Sequence, residues 1–424
     1  MRQIEFAFGK TGIRVSLPEG PRYEVVESRS AAGLGNVTAA LDKALDHPIG
    51  TLPLKELATG AKSAAISVCD ITRPAPNRTT LPPLLDRLHQ GGIAPDAVTI
   101  LIATGLHRLA TKDEIDVIVG PEIAGKYRIV NHDARDLANH RHLGATHRGT
   151  PVYIDERFMA ADLHITLGFI EPHLMLGFSG GRKLVAPGLA AQQTIKVIHS
   201  PKFMREPKAT EGSIEGNPLH AELLEIARMA GHDFILDVTL TKEREISGIF
   251  AGAPVEAHAQ GVEFLRSTSI EKLTRLADVV ITSAAGDPLD LTFYQSIKGI
   301  TAAQHIVKPG GRILILAECS EGIGSPEFAQ MLEGFTGGRK FLDSIRDSEV
   351  VPDQWQLERL ALARLRNDIF FYTPGVSREQ LGSFAPRCYS RIDEAVQASL
   401  HGLEPLALVA LVPEGPYAYA RVSE

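Results

Sequence analysis

ADLHITLGFIEP at residues 161–172 and ADVVITSAAGDP at residues 277–288 decide the fold, because the chain writes the same strand and loop twice. Five of the twelve positions are identical, and each copy runs from a short apolar strand into a loop closed by proline. Around them, β-rich runs alternate with helical stretches, the pattern of α/β layers on a largely parallel sheet. The spacing predicts strands over 64–68, 98–103, 163–166, 234–240, 279–282 and 312–317, and helices over 81–90, 112–119, 218–229, 254–266 and 352–367. The expected fold class is α/β, with two Rossmann-like domains. The first covers residues 1–270 and carries the chemistry-bearing loops, and a final strand in ALVALVPEGPYAYARV returns to it over 405–424. The second covers 271–404, with the break near 268–277.

The 424 residues hold 44% hydrophobic and 22% charged side chains, which is globular composition. Lys and Arg number 44 against 51 Asp and Glu, a net charge of −7, so there is no basic field to draw nucleic acid or anionic lipid. Three separated cysteines, Cys69, Cys319 and Cys388, form no CxxC pair and suit a reducing cytoplasm. No run of 18 apolar residues is present, so no membrane contact is expected, and the alternating MRQIEFAFGKTGIRV reads as a first strand rather than a signal peptide.

Three strands run into loops rich in Gly, Pro, His and Asp, and in open α/β sheets ligands gather at such carboxyl ends. DITRP places Asp70 and Arg73 there, and Arg73 suits a carboxylate or phosphate. ATGLHR ends near His107, and the third loop opens GFIEPHLMLGFSGGRKLVAPGLA, residues 168–190. That stretch is too rich in Gly and Pro for a regular helix; Gly180 and Gly181 allow close backbone approach, and Arg182 and Lys183 add positive charge for an anion. It is not a phosphate loop, since Arg182 stands where GxxxxGK[ST] requires Gly. His107, His173 and His199 are candidates for proton exchange or metal ligation. His132, His140, His142 and His147 read as a solvated polar loop. Gln295 and Lys298, three apart, share one face of a helix and converge on one anion or face solvent.

DITRP at 70–74, ATGLHR at 103–108, GFIEPHLMLGFSGGRKLVAPG at 168–188, EGNPLH at 215–220, YQSIKG at 294–299 and DQWQ at 353–356 together resemble the nickel-dependent lactate racemase family. The resemblance implies an isomerase, a racemase or epimerase of 2-hydroxy acids, with two α/β domains and the site in the cleft between them. It implies a nickel-pincer nucleotide, a pyridinium-3-thioamide-5-thiocarboxylic acid mononucleotide holding nickel, joined covalently to Lys183, with His199 as the protein's nickel ligand. By the same resemblance His107 and His173 are the acid–base pair, and Asp70 lies in the nucleotide-binding loop with Arg73, Gly180 and Gly181. Arg73, Gln295, Lys298 and Trp355, the only tryptophan, face substrate. Cofactor-synthesis proteins are implied as loading partners. Chemistry agrees: a carbanion beside a carboxylate is costly, whereas hydride removal leaves a planar 2-keto acid reducible on either face. Leu106, Leu109 and Leu174-Met175-Leu176 depart from the lactate-specific members, so the substrate is expected to be lactate or a larger hydroxy acid or sugar acid. Two other readings are a zinc hydrolase built on His107, His173 and His199, and a non-catalytic carrier of the nucleotide.

Overall fold

The computed structural model describes residues 2–422; the outermost positions of the expected domain bounds, 1, 423 and 424, lie outside them. The chain forms two α/β units, one from Ser30–Thr268 and the other from the residues up to Arg29 together with Ser269 onward.

The Ser30–Thr268 unit holds a six-stranded sheet in the order Ile246–Gly252, Phe234–Leu240, Leu163–Phe169, Ala64–Cys69, Val98–Ala103, Arg128–Asn131. All neighbours are parallel except the edge pair Phe234–Leu240 with Ile246–Gly252. Ala64–Cys69 is buried at every position and its apolar residues sit in a core with Leu81, Leu84, Leu88 and Ile165. That continuous apolar run is what burial on both faces of a parallel sheet demands. From Ala64–Cys69 the chain first builds strands to one side and then returns to place Leu163–Phe169 on the other. The carboxyl ends of these two neighbours therefore form a topological switch point, where α/β sheets bind ligands.

The other unit carries a parallel sheet in the order Cys388–Tyr389, Asp368–Tyr372, Val307–Leu316, Ala277–Ser283, Leu408–Val412, Arg22–Val25. Successive residues of Ala277–Ser283 alternate between cores: Val280 packs with Phe293, Ile297 and Ile300, while Val279 and Ile281 pack with Phe6, Val15 and Leu17. The last contact corrects the expected domain bounds. The N-terminal hairpin, Arg2–Phe6 with Ile13–Leu17, belongs to this unit, and the C-terminal tail does not return to the other one. Leu408–Val412 instead pairs with Ala277–Ser283 and with Arg22–Val25, and Tyr419–Val422 pairs with Ile270–Leu273. The apolar side chains of the first strands are covered by this sheet's outer face. The KPGG turn before ILIL is absorbed as a register shift, with Ala277 opposite Val307 but Val279 opposite Arg312.

Most expected elements form with bounds moved by a few residues: Val98–Ala103, Lys112–Val119, Pro218–Met229 and Phe234–Leu240 match fully. The histidine-rich segment does not form a solvated loop. His140–Ala145 pairs with Pro151–Asp155, His142 stacks on Tyr153, and His132 is completely buried.

Asp290 ties together the carboxyl-end loops of the second sheet. Its Oδ2 accepts the amides of Gly9 at 2.7 Å and Glu318 at 3.1 Å, and its carbonyl accepts that of Cys319. Asp290→Ala strands two side-chain-bonded amides and is expected to lower unfolding free energy by about 2–4 kcal/mol. Urea unfolding followed by the fluorescence of Trp355, which lies in the same unit, measures it. Asp290→Asn, which keeps an acceptor, loses less; an alanine variant within about 0.5 kcal/mol of wild type refutes the tie.

Candidate active site

Asp70 follows directly on Cys69, whose register partner on the neighbouring strand is Ala103, and the loop from Thr104 brings His107 back over it. The His107 amide donates to the Thr104 carbonyl at 2.9 Å, and Gly105 donates to Gly188 at 3.1 Å, which fixes that loop against the segment after Lys183. Nδ1 of His107 lies 2.7 Å from Oδ2 of Asp70. Burial pushes the Asp70 carboxyl up, but the hydrogen bond and charge of His107, the charge of Arg73 and the hydroxyl of Thr72 together hold it below the usual range. An ionised carboxylate accepts only, so Nδ1 carries the proton and Nε2 carries the lone pair. His107 is 44% exposed at the side chain while Asp70 is 7% exposed: the imidazole reaches outward from a buried anchor.

His173 comes from the other wall of the switch point. Pro172–His173 pairs with Gly177–Phe178 in a minimal hairpin, closed where Ser179 donates its amide to Glu171 and its hydroxyl to Phe169. The amides of Met175 and Leu176 approach Nδ1 of His173 from 3.5 and 3.4 Å, the reverse of the arrangement at His107.

After this hairpin the chain makes a tight turn, Gly181–Leu184. Gly180 has φ +86°, and a Cβ there would stand 2.6 Å from the Asp237 carboxylate, so glycine is required. Asp237 accepts the Gly181 amide at 2.8 Å, and Ser67 donates to the Leu184 carbonyl at 2.8 Å. Both anchors lie on buried strands and fix Lys183 between them. Burial pulls the Lys183 ammonium down to about 7; the charge of Arg73 adds to this, and Glu171, Cys69 and Asp70 oppose it. These perturbing groups show that the structure brings Asp70, Arg73, Glu171 and Lys183 into one neighbourhood.

His199 caps the C-terminus of the helix Gln192–Ile198. Its Nδ1 lies 2.9 Å from the Ile195 carbonyl, which can only accept, so the proton sits on Nδ1 and Nε2 carries the lone pair. Burial lowers its pKa to about 4, the Ile195 bond opposes, and the charge of Lys183 contributes. A neutral imidazole with its other nitrogen fixed by a carbonyl is what a metal ligand needs. The residues present therefore fit a metal-bearing nucleotide: a glycine-lined turn, a lysine poised as a neutral amine, and an oriented imidazole. Among the described residues no group of three His, Cys, Asp or Glu converges as a metal site, which removes the expected basis for a zinc hydrolase on His107, His173 and His199.

In the other unit, Gln295 and Lys298 lie on the helix Phe293–Ala303, both half-buried. The Gln295 Oε1 is buried with no hydrogen-bond partner. Trp355, near the start of the helix Gln354–Arg366, is buried and donates from Nε1 to the Tyr294 hydroxyl at 3.2 Å.

Comparison with known proteins agrees with this geometry. Residues 8–212 match the lactate racemase N-terminal domain and residues 273–417 the lactate racemase C-terminal domain. The chain belongs to the lactate racemase family. A lactate racemase of Thermoanaerobacterium thermosaccharolyticum is 34% identical over 421 residues, covering 98% of each chain. One from Lactiplantibacillus plantarum is 35% identical over 379 residues, covering 88% of this chain and 89% of that one. The solved lactate racemase apoprotein of T. thermosaccharolyticum superposes with a TM-score of 0.90 at 32% identity, covering both chains fully. A Thermotoga maritima protein shares the fold alone, with a TM-score of 0.66 at 16% identity over 91% of this chain and 97% of that one. As a member of this family the protein is an isomerase, a racemase, and the reading as a non-catalytic carrier falls. No helix among the described residues is long and apolar enough to cross a membrane.

Three features escaped the sequence reading. Asp70 pairs with His107 across a sequence separation of 37, Asp237 anchors the lysine turn, and Tyr294 supports Trp355. Only Tyr294 had a local signal, its place inside YQSIKG.

The Lys183 environment has a direct readout. Acylation of the cofactor-free protein, followed by peptide mass spectrometry from pH 5.5 to 9, is expected to show Lys183 reacting as a neutral amine with a midpoint near pH 7. Protonation below that pH switches it off, and the modification of exposed Lys10 and Lys62 is followed in the same digests for reference. A Lys183 profile that tracks Lys62 contradicts the assignment.

Proposed function

We propose that this protein interconverts the enantiomers, or C2 epimers, of a 2-hydroxy acid through a 2-keto acid, with lactate or a larger hydroxy or sugar acid as substrate. The observation that carries the reading is the convergence, at one switch point, of the Asp70-held His107 and the neutral-tuned Lys183 and His199. Lys183 would anchor a nickel-pincer nucleotide covalently, His199 would complete its nickel coordination through Nε2, and Gly180, Gly181, Asp70 and Arg73 would line its bed. When bound, that group supplies a reversible hydride acceptor.

The chain's own residues handle the proton and the carboxylate. Nε2 of His107 accepts the substrate hydroxyl proton as C2 becomes a carbonyl, and Asp70 stabilises the imidazolium that results. On the other side His173, starting as its imidazolium, donates a ring proton to the keto oxygen presented to it and is left as the neutral imidazole. The reverse reaction exchanges these roles. Arg73, Gln295 and Lys298 would hold the carboxylate and hydroxyl while the planar centre turns, and Trp355 would keep water out. Delivery of the nucleotide by cofactor-synthesis proteins and work in a reducing cytoplasm belong to the same reading, and the three cysteines are buried free thiols.

A panel of enantiopure 2-hydroxy acids, run in D2O with cofactor-loaded enzyme, tests the proposal. Hydride transfer keeps the C2 hydrogen, so the product is expected to be free of deuterium; complete exchange at C2 would mean proton abstraction. His107→Ala and His173→Ala are each expected to reduce racemisation by ~10²–10⁴-fold. In single turnovers each variant should retain oxidation of the opposite enantiomer, and two variants that lose the same enantiomer contradict the two-face assignment.

Nickel content after dialysis isolates the ligand. His199→Ala should lose most of its nickel, whereas His140→Ala and His142→Ala retain it, because His140 donates from Nδ1 to the Asp136 carbonyl at 2.8 Å and His142 is stacked on Tyr153. Equal retention in all three would exclude His199.

A further inference from the structure

His132 has no part in the chemistry above, yet its ring is wholly buried. Nδ1 lies 3.0 Å from Oδ2 of Asp155 and Nε2 lies 3.1 Å from the carbonyl oxygen of Ala190. Burial pushes the Asp155 carboxyl up, but hydrogen bonds from Arg157 and His132 prevail and hold it at about 2. Arg157 donates to it from its amide at 3.0 Å and from Nε at 2.8 Å. Both partners of the ring are thus acceptors with nothing to donate, and a neutral imidazole has only one N–H. It would leave a lone pair facing an oxygen inside the protein, which is costly.

We propose that His132 is held as an imidazolium whose two N–H groups bolt the segment after Lys183 to Asp155, making it a positioning residue for Lys183 and for the His107 loop. The backbone connects it to both. The His132 amide donates to Ile102, Thr104 donates its hydroxyl to the His132 carbonyl, and Thr104 in turn accepts the His107 amide. On the other side Ala190 closes a segment in which Gly188 donates to Lys183, Asp155 donates to Leu189 and Ala191 donates to Tyr153. The charged and titratable neighbours are Asp155 and Arg157, with Asp133 and Asp136 acting on Arg157, and His140, edge-on at 5.1 Å. His140 is itself pushed toward neutrality, first by burial and then by the charge of His132. The bolt thus consists of one cation, one shared carboxylate and a flanking guanidinium. The positioning role rests on Lys183 and His107 acting as proposed above; the imidazolium does not.

The test separates the two. Long-range 1H–15N correlation spectra of histidine-labelled wild-type protein, with His132 assigned by its loss in His132→Gln, are expected to show protons on both ring nitrogens at pH 8. A ring nitrogen without a proton at pH 8 overturns the imidazolium, whatever the protein catalyses. His132→Gln keeps a single amide donor. With circular dichroism unchanged, it is expected to slow Lys183 acylation in the cofactor-free protein at least about fivefold. In loaded enzyme kcat should fall ~10-fold or more with KM within about twofold, the pattern of misplaced reacting groups. A folded variant with wild-type acylation and kcat overturns the positioning role. Should His132→Gln fail to fold, Thr104→Val, which removes only the hydroxyl bond to the His132 carbonyl, is judged by the same two readouts.

Discussion

Asp237, in the middle of a buried strand, accepts the Gly181 amide at 2.8 Å, and the candidate site is arranged around that bond. It pins the first residue of the Gly181–Leu184 turn, and it is possible only because Gly180 brings no Cβ toward the carboxylate. Burial pushes the Asp237 carboxyl up to about 7, against the Gly181 amide and the charge of Arg182. Arg182 answers from the next position. It is fully buried, pulled down to about 9 by desolvation, and donates to the carbonyls of Leu176 and Phe178 and to Nε2 of His258. The turn is gripped through its backbone and through its arginine. The neighbouring Lys183 can therefore be held in one place without its own side chain contributing to the hold.

Two kinds of electrostatic tuning meet at this turn. On the proposed reading Lys183 and His199 offer lone pairs, and desolvation supplies them by disfavouring the charged forms. His107, on the same reading, takes up a proton and releases it again. It sits on a buried carboxylate that is kept ionised, so that the charge gained by the ring is stabilised as it forms. One dry pocket for all three would have starved His107 of that support, and one wet surface would have left Lys183 an ammonium. The switch point separates them: the lysine turn packs beneath the sheet ends, while the His107 loop reaches outward.

Local pattern made much of this legible. Strand and helix periodicity placed Val98–Ala103, Lys112–Val119 and Phe234–Leu240 without error, and glycine spacing marked the lysine turn. Pairings that cross long stretches of chain left no local trace. Arg22–Val25 lies beside Leu408–Val412, and nothing in RYEV says that its partner is nearly 400 residues away, so the tail was assigned to the wrong unit. His132 read as solvent-exposed because its neighbours are Asn, Asp and Arg; its burial depends on Asp155 and Ala190, supplied by other elements. Polar composition signals a loop only when no distant partner neutralises the polarity.

On the proposed reading, the unit that carries Gln295 would build selectivity among organic acids from an unmet hydrogen bond. Its Oε1 is buried without a partner, while Tyr294 next to it is already held by Trp355 and by the Gln356 amide on its carbonyl. A rigid wall beside an unsatisfied acceptor costs stability in the free protein, roughly 1–3 kcal/mol for such a group. A ligand hydroxyl that donates to it recovers that cost, and a ligand lacking the hydroxyl does not. Sites of this kind reject the deoxy analogue far more strongly than they distinguish one alkyl chain from another. On the proposed reading the 2-hydroxyl proton goes to His107, so Gln295 would select a further hydroxyl, such as a larger hydroxy acid or sugar acid carries. On the same reading the leucines around His107 would adjust chain length with the weaker grip of apolar contact.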